Sequence, residues 1–207
     1  MVRETDLRAQ DPRVQRTKQQ LRQALIILLK DSTPKGISIQ AITKQAAITR
    51  GTFYLHYEDK VDFIRTAVAD LVADFYQQVT VVVDQTYRQV SLQALFEYVE
   101  QQQAAFKVFY KNEATLHFQA QLTESMRQLM QDYVAKRYNQ TSQADQIEMS
   151  ITIDYLAGAS LALVFKWVND GLVYSPRYMA KMLYQLVQTP NTTFDVAQFF
   201  CRGVIKH

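Results

Sequence analysis

Two helix-start signals lie close together in the N-terminal third of the chain. Ser38 and Thr49 are both good N-cap residues, because their side-chain oxygens accept hydrogen bonds from the free amides of a first helical turn. Between them, the spacing of Ile39 and Ile42 predicts a short helix, and the chain has to turn near 47–48 before the second start. The spacing therefore predicts two short helices joined by a tight turn, a helix-turn-helix.

Amphipathic patterns flank this pair on both sides. Before it, apolar residues at helical spacing predict a first helix from Arg13 to about Asp31, which ends at the turn-forming stretch 32–36. After it, the acidic Asp59 suits the positive N-terminus of a further helix over about 59–78. We expect this last helix to link an N-terminal head to the rest of the chain.

The remaining two-thirds of the chain also has a helical pattern. No alternating strand pattern of useful length is present, and only the TVVV stretch near residue 80 leans towards β structure. We predict helices near 91–111, 114–138, 143–169 and 176–188, and a last one near 195–204. The predicted fold is all-α, with a tail at 1–12, a helix-turn-helix domain at 13–60, the linker helix, and a helical ligand-binding and dimerisation domain at 79–207.

Charge is unequally distributed between these parts. Residues 1–60 carry eleven Lys and Arg against six Asp and Glu, a net charge of +5, whereas residues 61–207 carry twelve against fourteen, a net charge of −2. A basic head on a slightly acidic body is typical of a protein that binds phosphates at one end. A chance fluctuation among solvated side chains is the alternative explanation.

Few residues suit catalysis, metal binding or export. The single cysteine, Cys201, excludes an intramolecular disulfide and fits a reducing cytoplasm. The histidines His56, His117 and His207 are scattered, and there is no Gly-rich phosphate loop. The N-terminus lacks the apolar stretch of a signal peptide, and the longest apolar run, 156–165, is far shorter than the roughly 20 residues of a membrane span. We predict a cytoplasmic protein that is not an enzyme, with no cofactor, no metal and no membrane partner.

The helix that begins after Thr49 has two different faces. Phe53 and Tyr57 are four residues apart and share one face, which suits packing against the first two helices. The opposite face carries Gly51, a poor helix former, and Leu55, an apolar residue left in an exposed position. Both are explained if another molecule approaches closely, for example a DNA groove in which Leu55 meets a thymine methyl group.

Polar residues around this face could bind DNA. Arginine can form two hydrogen bonds with guanine, so Arg50 is suited to base recognition. Lys60 and Thr17 could hold backbone phosphates, although solvated surface explains either residue alone equally well. Further side chains that could reach phosphates or base edges are Thr49, Thr52, Tyr54 and His56.

The stretch GISIQAITKQAAITRGTFYLHYEDKVDFIRTAV closely resembles the DNA-binding domain of the TetR family of bacterial repressors, and the resemblance runs from about Arg13 to Ala69. It departs in the turn, where many members have glycine and this chain has Ala47; if the position needs a positive φ, alanine is mildly strained there. The resemblance implies that DNA is lined by Thr49, Arg50, Gly51, Tyr54, Leu55, His56 and Lys60, with Thr17 and Ser38 on backbone phosphates.

Small residues are concentrated in the segment 157–162, which would let another helix approach closely. Small residues at these positions would serve either the core of one protomer or a dimer interface. TetR-like regulators dimerise through two C-terminal helices of each subunit, so the resemblance implies an interface from 143–169 and 176–188. The candidate interface residues are Leu156, Ala159, Leu163, Trp167, Met179, Leu183 and Leu186.

A second resemblance concerns the FYKNE stretch near 109 and the segment KWVNDGLVYSP, which look like one TetR subgroup that includes regulators of small-ketone kinase operons. A ligand cavity in the middle helices would have an apolar wall with a few polar tips. Ordinary core packing is the alternative for each candidate wall residue, namely Phe106, Phe109, Tyr110, His117, Phe118 and Tyr155.

These patterns lead to two functional hypotheses. The first is a homodimeric repressor that binds a two-fold-symmetric DNA operator and is released when a small-molecule effector changes the spacing of its two heads. The second is a ligand-independent regulator whose C-terminal domain only dimerises or recruits a protein partner. An open cavity in the body would favour the first hypothesis, and solidly packed middle helices would favour the second.

Overall fold

The computed structural model describes residues 11–83, 87–111, 116–138, 142–188 and 196–203. The predicted tail up to residue 10 and His207 lie outside the described residues. The helices are α1 (Pro12–Leu28), α2 (Ile39–Gln45), α3 (Arg50–Tyr54), α4 (Lys60–Val79), α5 (Leu92–Gln101), α6 (Gln103–Lys111), α7 (Leu116–Arg137), α8 (Gln143–Asn169) and α9 (Pro176–Val187). The strands are β1 (Thr80–Val83), β2 (Tyr87–Ser91) and β3 (Phe200–Cys201), and a 3₁₀ turn spans Val196–Phe199. The prediction of an all-α fold with a helix-turn-helix and a helical C-terminal domain is confirmed.

Capping side chains start the helices of the head where the sequence predicts. The amide of Ala41 donates to Ser38 Oγ at 3.1 Å, and the amide of Thr52 donates to Thr49 Oγ1 at 3.0 Å. Each bond satisfies an amide that has no partner inside its own helix. The start points of α2 and α3 are therefore set by local side chains.

The turn between α2 and α3 adopts a conformation that alanine disfavours. Ala47 has a φ of 55°, in the left-handed region, and the amide of Ile48 donates to the Thr43 carbonyl at 3.0 Å. A Cβ in this region costs about 1 kcal/mol, because it approaches the following carbonyl oxygen. The expected strain at this position is present, and the hydrogen bond across the turn helps to maintain it.

The head and the body share one continuous apolar core. In the head, Leu25, Ile42 and Phe53 are buried between the first three helices and α4. Arg22 on α1 forms an ion pair at 2.8 Å with Asp74 on α4, which ties the head to the linker helix. Because α4 continues into the body, its orientation couples the two parts.

The body contains a helix break that the sequence does not indicate. One helix is expected near 91–111, but α5 ends at a cap on Gln102 and α6 starts at the next residue. No glycine or proline marks this point. The two helices have different partners, since α5 packs mainly against α9 and α6 packs against α8, so tertiary contacts decide the break.

A small sheet forms beside the helices, and its first strand is the TVVV stretch that leans towards β structure in the sequence. Strands β1 and β2 pair antiparallel, with Thr80 opposite Val90, and β2 pairs parallel with β3, with Val90 opposite Phe200. The predicted helix near 195–204 is wrong, because the described part, 196–203, forms the 3₁₀ turn and β3. Parallel pairing joins residues far apart in sequence, and therefore leaves no local pattern to read.

Among the described residues, one helix, α8, is long and apolar enough to cross a membrane by length and composition. Half of its most apolar window is buried inside the protein. There Leu161, Val164 and Phe165 are in the core. The core helix of a folded protein passes the same test, so burial within the protein accounts for its composition.

Candidate nucleic-acid interface

An aromatic cluster holds α3 in place. Phe53 is fully buried, and its ring centroid lies 5.5 Å from those of both Tyr57 and Phe63. The Tyr57 and Phe63 rings are 4.9 Å apart in an edge-to-face arrangement. Such aromatic pairs stabilise the fold by about 1 kcal/mol each, in addition to the stabilisation from the apolar area that they bury. The inner face of α3 is thus held against the linker helix, a partner that its spacing does not indicate, since the spacing predicts packing against the first two helices.

The opposite face of α3 projects into solvent. Leu55 is 80% exposed and Tyr54 is 49% exposed, and Arg50 and Gly51 are exposed beside them. Thr52 is partly buried and its hydroxyl lies 2.9 Å from that of Thr49. Among the described residues Arg50 has no ion-pair partner, so internal contacts there do not account for an exposed leucine beside an arginine.

Gly51 is not required by the protein's own packing. A Cβ built at this position would meet Thr49 Oγ1 at 3.6 Å, an ordinary contact, and the residue has no positive φ. Alanine would fit here and would favour the helix by about 1 kcal/mol. Packing among the described residues therefore does not explain why this position carries glycine.

His56 lies at the edge of this face, partly buried, with its ring 6.3 Å from that of Tyr57. Burial lowers the pKa of His56 from its ordinary value of 6.5, and the positive charge of Lys18 lowers it further. The imidazole is therefore neutral at pH 7 and can donate one hydrogen bond. Lys18 was not among the candidate site residues, although its place on the basic first helix was a signal.

Lys60 has an internal role that the sequence did not indicate. Its ammonium donates to the carbonyl oxygens of Lys35 at 3.2 Å and Ile37 at 2.8 Å, which holds the segment before α2 against the start of α4. The N-terminus of α4, next to Lys60, is already capped, because the amide of Asp62 donates to Asp59 Oδ1 at 2.8 Å. Asp59 and Asp62 therefore already occupy backbone amides at this helix start, which are not free for a phosphate.

The two expected phosphate-binding hydroxyls differ in their local bonds. Thr17 Oγ1 donates to the Arg13 carbonyl at 3.0 Å, so its proton is used inside α1. Ser38 Oγ accepts the amide of Ala41, which leaves its own proton for a partner. Lys44, exposed in the last turn of α2, is a further cation near this surface that the sequence analysis missed.

The six expected pocket residues do not share one wall. The rings of Phe106 and Phe109 pack on Phe118 at 5.3 and 5.6 Å between centroids, and all three are buried. Tyr110 stacks on the outside of this cluster, with its ring 4.8 Å from that of Phe165. Tyr155 is 69% exposed and His117 is exposed at the start of α7. Mutual packing of the rings fills the space where the cavity was expected.

Open volume lies at the edges of the body instead. A cavity of about 500 Å³ lies between α4 and α7, beside Val72 and Tyr76. A second cavity of about 760 Å³ lies where the head meets the body, and His117 lines it. Among the described residues, no group of three or more His, Cys, Asp or Glu is placed to hold a metal ion.

The expected dimer residues divide into two groups. Leu156, Trp167, Met179 and Leu183 are buried inside the protomer, so they cannot form a direct contact surface. The small residues beside them permit this packing, which is why the two explanations could not be separated by sequence. Ala159 and Leu186 are exposed and Leu163 is partly buried.

A different apolar stripe runs along the outer face of α8. Ile147, Ile151 and Tyr155 are exposed at intervals of four residues, and Ile151 is 64% exposed. Ala159 continues the stripe one turn further on. Neither isoleucine was predicted from the sequence, because the pattern of a helix that is apolar on most sides does not indicate which side stays exposed to solvent.

Comparison with known proteins identifies relatives of this chain. The profile of the family TetR_C_8, described as the transcriptional regulator C-terminal region, matches residues 88–189. YxbF of Bacillus subtilis (strain 168), an uncharacterized HTH-type transcriptional regulator, is 24% identical over 175 residues, which are 81% of this chain and 44% of YxbF. This chain therefore spans less than half of the length of that relative.

A solved structure has a similar fold. The dihydroxyacetone kinase operon activator DhaS superposes with a TM-score of 0.59 over 82% of this chain and 93% of its own, at 17% sequence identity. At this identity the likeness concerns the fold alone. Residues 88–189 therefore match the C-terminal region of TetR-type transcriptional regulators, and the similarity to an HTH-type regulator agrees with the helix-turn-helix of the head.

Proposed function

We propose that the exposed face of α3 enters the major groove of DNA and recognises a specific sequence. The observation that carries this proposal is that Gly51 and Leu55 are both exposed on the outer face, which packing among the described residues does not explain. A groove would explain both, since the glycine permits close approach and the leucine can contact a thymine methyl group. Arg50 would read a guanine, and Ser38 would contact a backbone phosphate.

The active form is a homodimer. The exposed stripe of Ile147, Ile151 and Tyr155 is the surface best suited to a second copy, and Leu186 on α9 adds to it. A two-fold dimer would present two heads to one face of DNA, so the operator would be a palindrome with half-sites about one helical turn apart. The basic charge of the head supports this arrangement.

Features of the body support two modes of regulation. A cytoplasmic repressor released by a small-molecule effector is supported by the cavities at the edges of the body. A ligand-independent regulator that recruits a protein partner is supported by the filled aromatic cluster around Phe118. DhaS is named an operon activator, so the sign of regulation in this chain has to be measured.

Selection of bound fragments from random DNA tests the proposed function. The dimer is expected to enrich a palindromic site and to bind it more tightly than random DNA by a factor of about 10³ or more. A reporter gene placed behind the enriched site then gives the sign of regulation. Equal affinity for selected and random DNA would contradict the proposal.

A further inference from the structure

The larger cavity, of about 760 Å³, lies between the head and the body. Three parts of the described chain line it: the α1–α2 segment at Pro34 and Lys35, the first half of α4, and the start of α7 at His117. We name this space the head–body crevice. Its volume is within the range of about 300–1,000 Å³ that is typical of ligand sites. A molecule bound here would touch both the head and the body.

The α4 wall of the crevice is apolar. Val61, Ile64 and Val68 follow one another at intervals of three and four residues, so they share one side of the helix. Val61 is 70% exposed. Covering this side chain with an apolar group would remove its surface from water, which is favourable.

The charged side chains among the described lining residues are all cationic. They are Lys35, Lys60 and Arg65. Arg65 is balanced by Asp62 on its own helix, at 2.8 Å, but the two lysines have no carboxylate in the described lining of the crevice. An anionic group would therefore be attracted to this end of the crevice.

Lys60 can still donate a hydrogen bond into the crevice. An ammonium group has three N–H donors, and the two described acceptors are the carbonyl oxygens of Lys35 and Ile37. A carboxylate would take the third donor in a charge-assisted bond, which is stronger than a neutral one. The same ammonium would then hold both the ligand and the segment that precedes α2.

We propose that the head–body crevice binds a small molecule with an apolar body and one carboxylate, and that its binding changes the affinity for DNA. The apolar body lies on Val61 and Ile64, and the carboxylate lies between Lys35 and Lys60. The effect on DNA rests on the proposed function above, whereas the binding itself does not.

A ligand in this position would couple the two parts of the protein. It favours whichever position of the head relative to the body lets it contact both. Two heads reach successive half-sites only at one spacing, so a ligand that selects one position changes the DNA affinity. By linkage, DNA changes the ligand affinity by the same factor.

Calorimetric titration of the full chain tests the binding with three probes: octanoate, decanoate and 1-octanol. We expect octanoate to bind, decanoate to bind about fivefold to fifteenfold more tightly because of its two further methylene groups, and 1-octanol to bind at least about fivefold more weakly than octanoate. Equal binding of octanoate and 1-octanol, or no binding of octanoate and decanoate, would overturn the proposal.

A matched pair of charge reversals locates the site. Lys35→Glu is expected to weaken octanoate binding about tenfold, whereas Lys30→Glu, a change of an exposed lysine outside the crevice, is expected to leave it unchanged. Val61→Thr, which has nearly the same shape, tests the apolar wall and is expected to weaken decanoate binding about threefold. Equal effects of Lys35→Glu and Lys30→Glu would place the site elsewhere.

The coupling to DNA is measured on the selected palindrome with and without decanoate, at one fixed concentration that fills the site of the parent but not that of Lys35→Glu. A change of about fivefold or more in DNA affinity is expected in the parent and in Lys30→Glu, and a clearly smaller change in Lys35→Glu. Ligand binding without any change in DNA affinity would remove the regulatory part of the inference. Specific DNA binding without any ligand binding would leave the proposed function intact and overturn the inference alone.

Discussion

The head and the body of this protein differ in how far apart in sequence their interacting residues lie. In the head, Thr49 caps the helix that begins at the next residue, and Phe53 packs on Tyr57 one turn away. In the body, the buried ring cluster is built from three helices, with Phe106 on α6 against Phe118 on α7 and Phe165 on α8. A surface that is fixed by contacts between near neighbours in sequence can be predicted from residue spacing. A surface that stays exposed only because other faces are packed against distant segments cannot be predicted in this way. We expect the exposed face of α3 to determine which DNA sequence is bound and the exposed stripe of α8 to determine assembly.

The largest expected effect is on assembly. Ile151→Glu places a charge in the middle of the exposed stripe, and we expect it to convert the dimer into a monomer. Loss of two-headed binding then lowers the affinity for the palindrome by about 100-fold or more. Light scattering gives the oligomeric state and fluorescence anisotropy gives the DNA affinity. Val82→Glu, at an exposed valine on β1, is the control, and a dimeric Ile151→Glu would show that the interface lies elsewhere.

The next effect concerns base recognition. Arg50→Ala is expected to weaken binding to the selected palindrome by about 5- to 100-fold, with a much smaller loss on random DNA, because a bidentate contact to guanine is lost. Competition binding with both DNAs measures the two losses. Arg177→Ala removes an exposed arginine from α9 and should change neither. Equal losses for Arg50→Ala on both DNAs would mean that this side chain contacts phosphate.

Gly51→Ala should change stability and DNA affinity in opposite directions. The new Cβ has room and favours the helix, so the free energy of unfolding should rise by about 0.5–1 kcal/mol. The same methyl group would meet DNA in the groove and lower the affinity about tenfold. Urea unfolding and anisotropy measure the two effects. Gly158→Ala, in open space on α8, should gain stability without this loss, provided that light scattering shows an unchanged oligomeric state. Unchanged DNA affinity in Gly51→Ala would remove the main support for groove entry at this residue.

The turn of the head offers a smaller effect on stability. Ala47→Gly relieves the positive φ, and we expect the free energy of unfolding to rise by about 0.5–1 kcal/mol. Ala69→Gly is the control in the interior of α4, where glycine should lower the free energy of unfolding by about 1 kcal/mol. The same sign for both variants, measured by urea unfolding, would mean that the left-handed turn is not strained.

The smallest effect is on the protonation of His56. Lys18→Gln removes the lesser of the two causes that lower its pKa, so the pKa should rise but stay below 6.5, because burial is the larger cause. The folded state favours the neutral imidazole, so the head loses some stability as the pH falls from 6.5 through the pKa of the folded state, and Lys18→Gln should reduce that loss. NMR titration of the ring protons measures the pKa. An unchanged pKa, with Lys30→Gln as the control, would contradict the proximity of Lys18.

The site could be predicted from the sequence only in part. The capping by Thr49 and the two faces of α3 follow from short-range rules on caps and helical spacing, and the structure agrees with them. The bonds of Lys60 to the carbonyls of Lys35 and Ile37 could not be predicted, because they join residues more than 20 positions apart through a flexible side chain. The proximity of Lys18 to His56 could not be predicted for the same reason, because these residues are also far apart in sequence.

By itself, the sequence determined that this chain is helical, that its head carries a helix-turn-helix, and that α3 has a buried face and an exposed face. Caps and the 3.6-residue period act over a few residues, so they are present in the local pattern. Only the tertiary structure decided the break at Gln102, the pairing of Val90 with Phe200, and which apolar residues of α8 stay exposed. These features depend on which distant segments compete for the same apolar surface, and that competition is settled only when the whole chain packs.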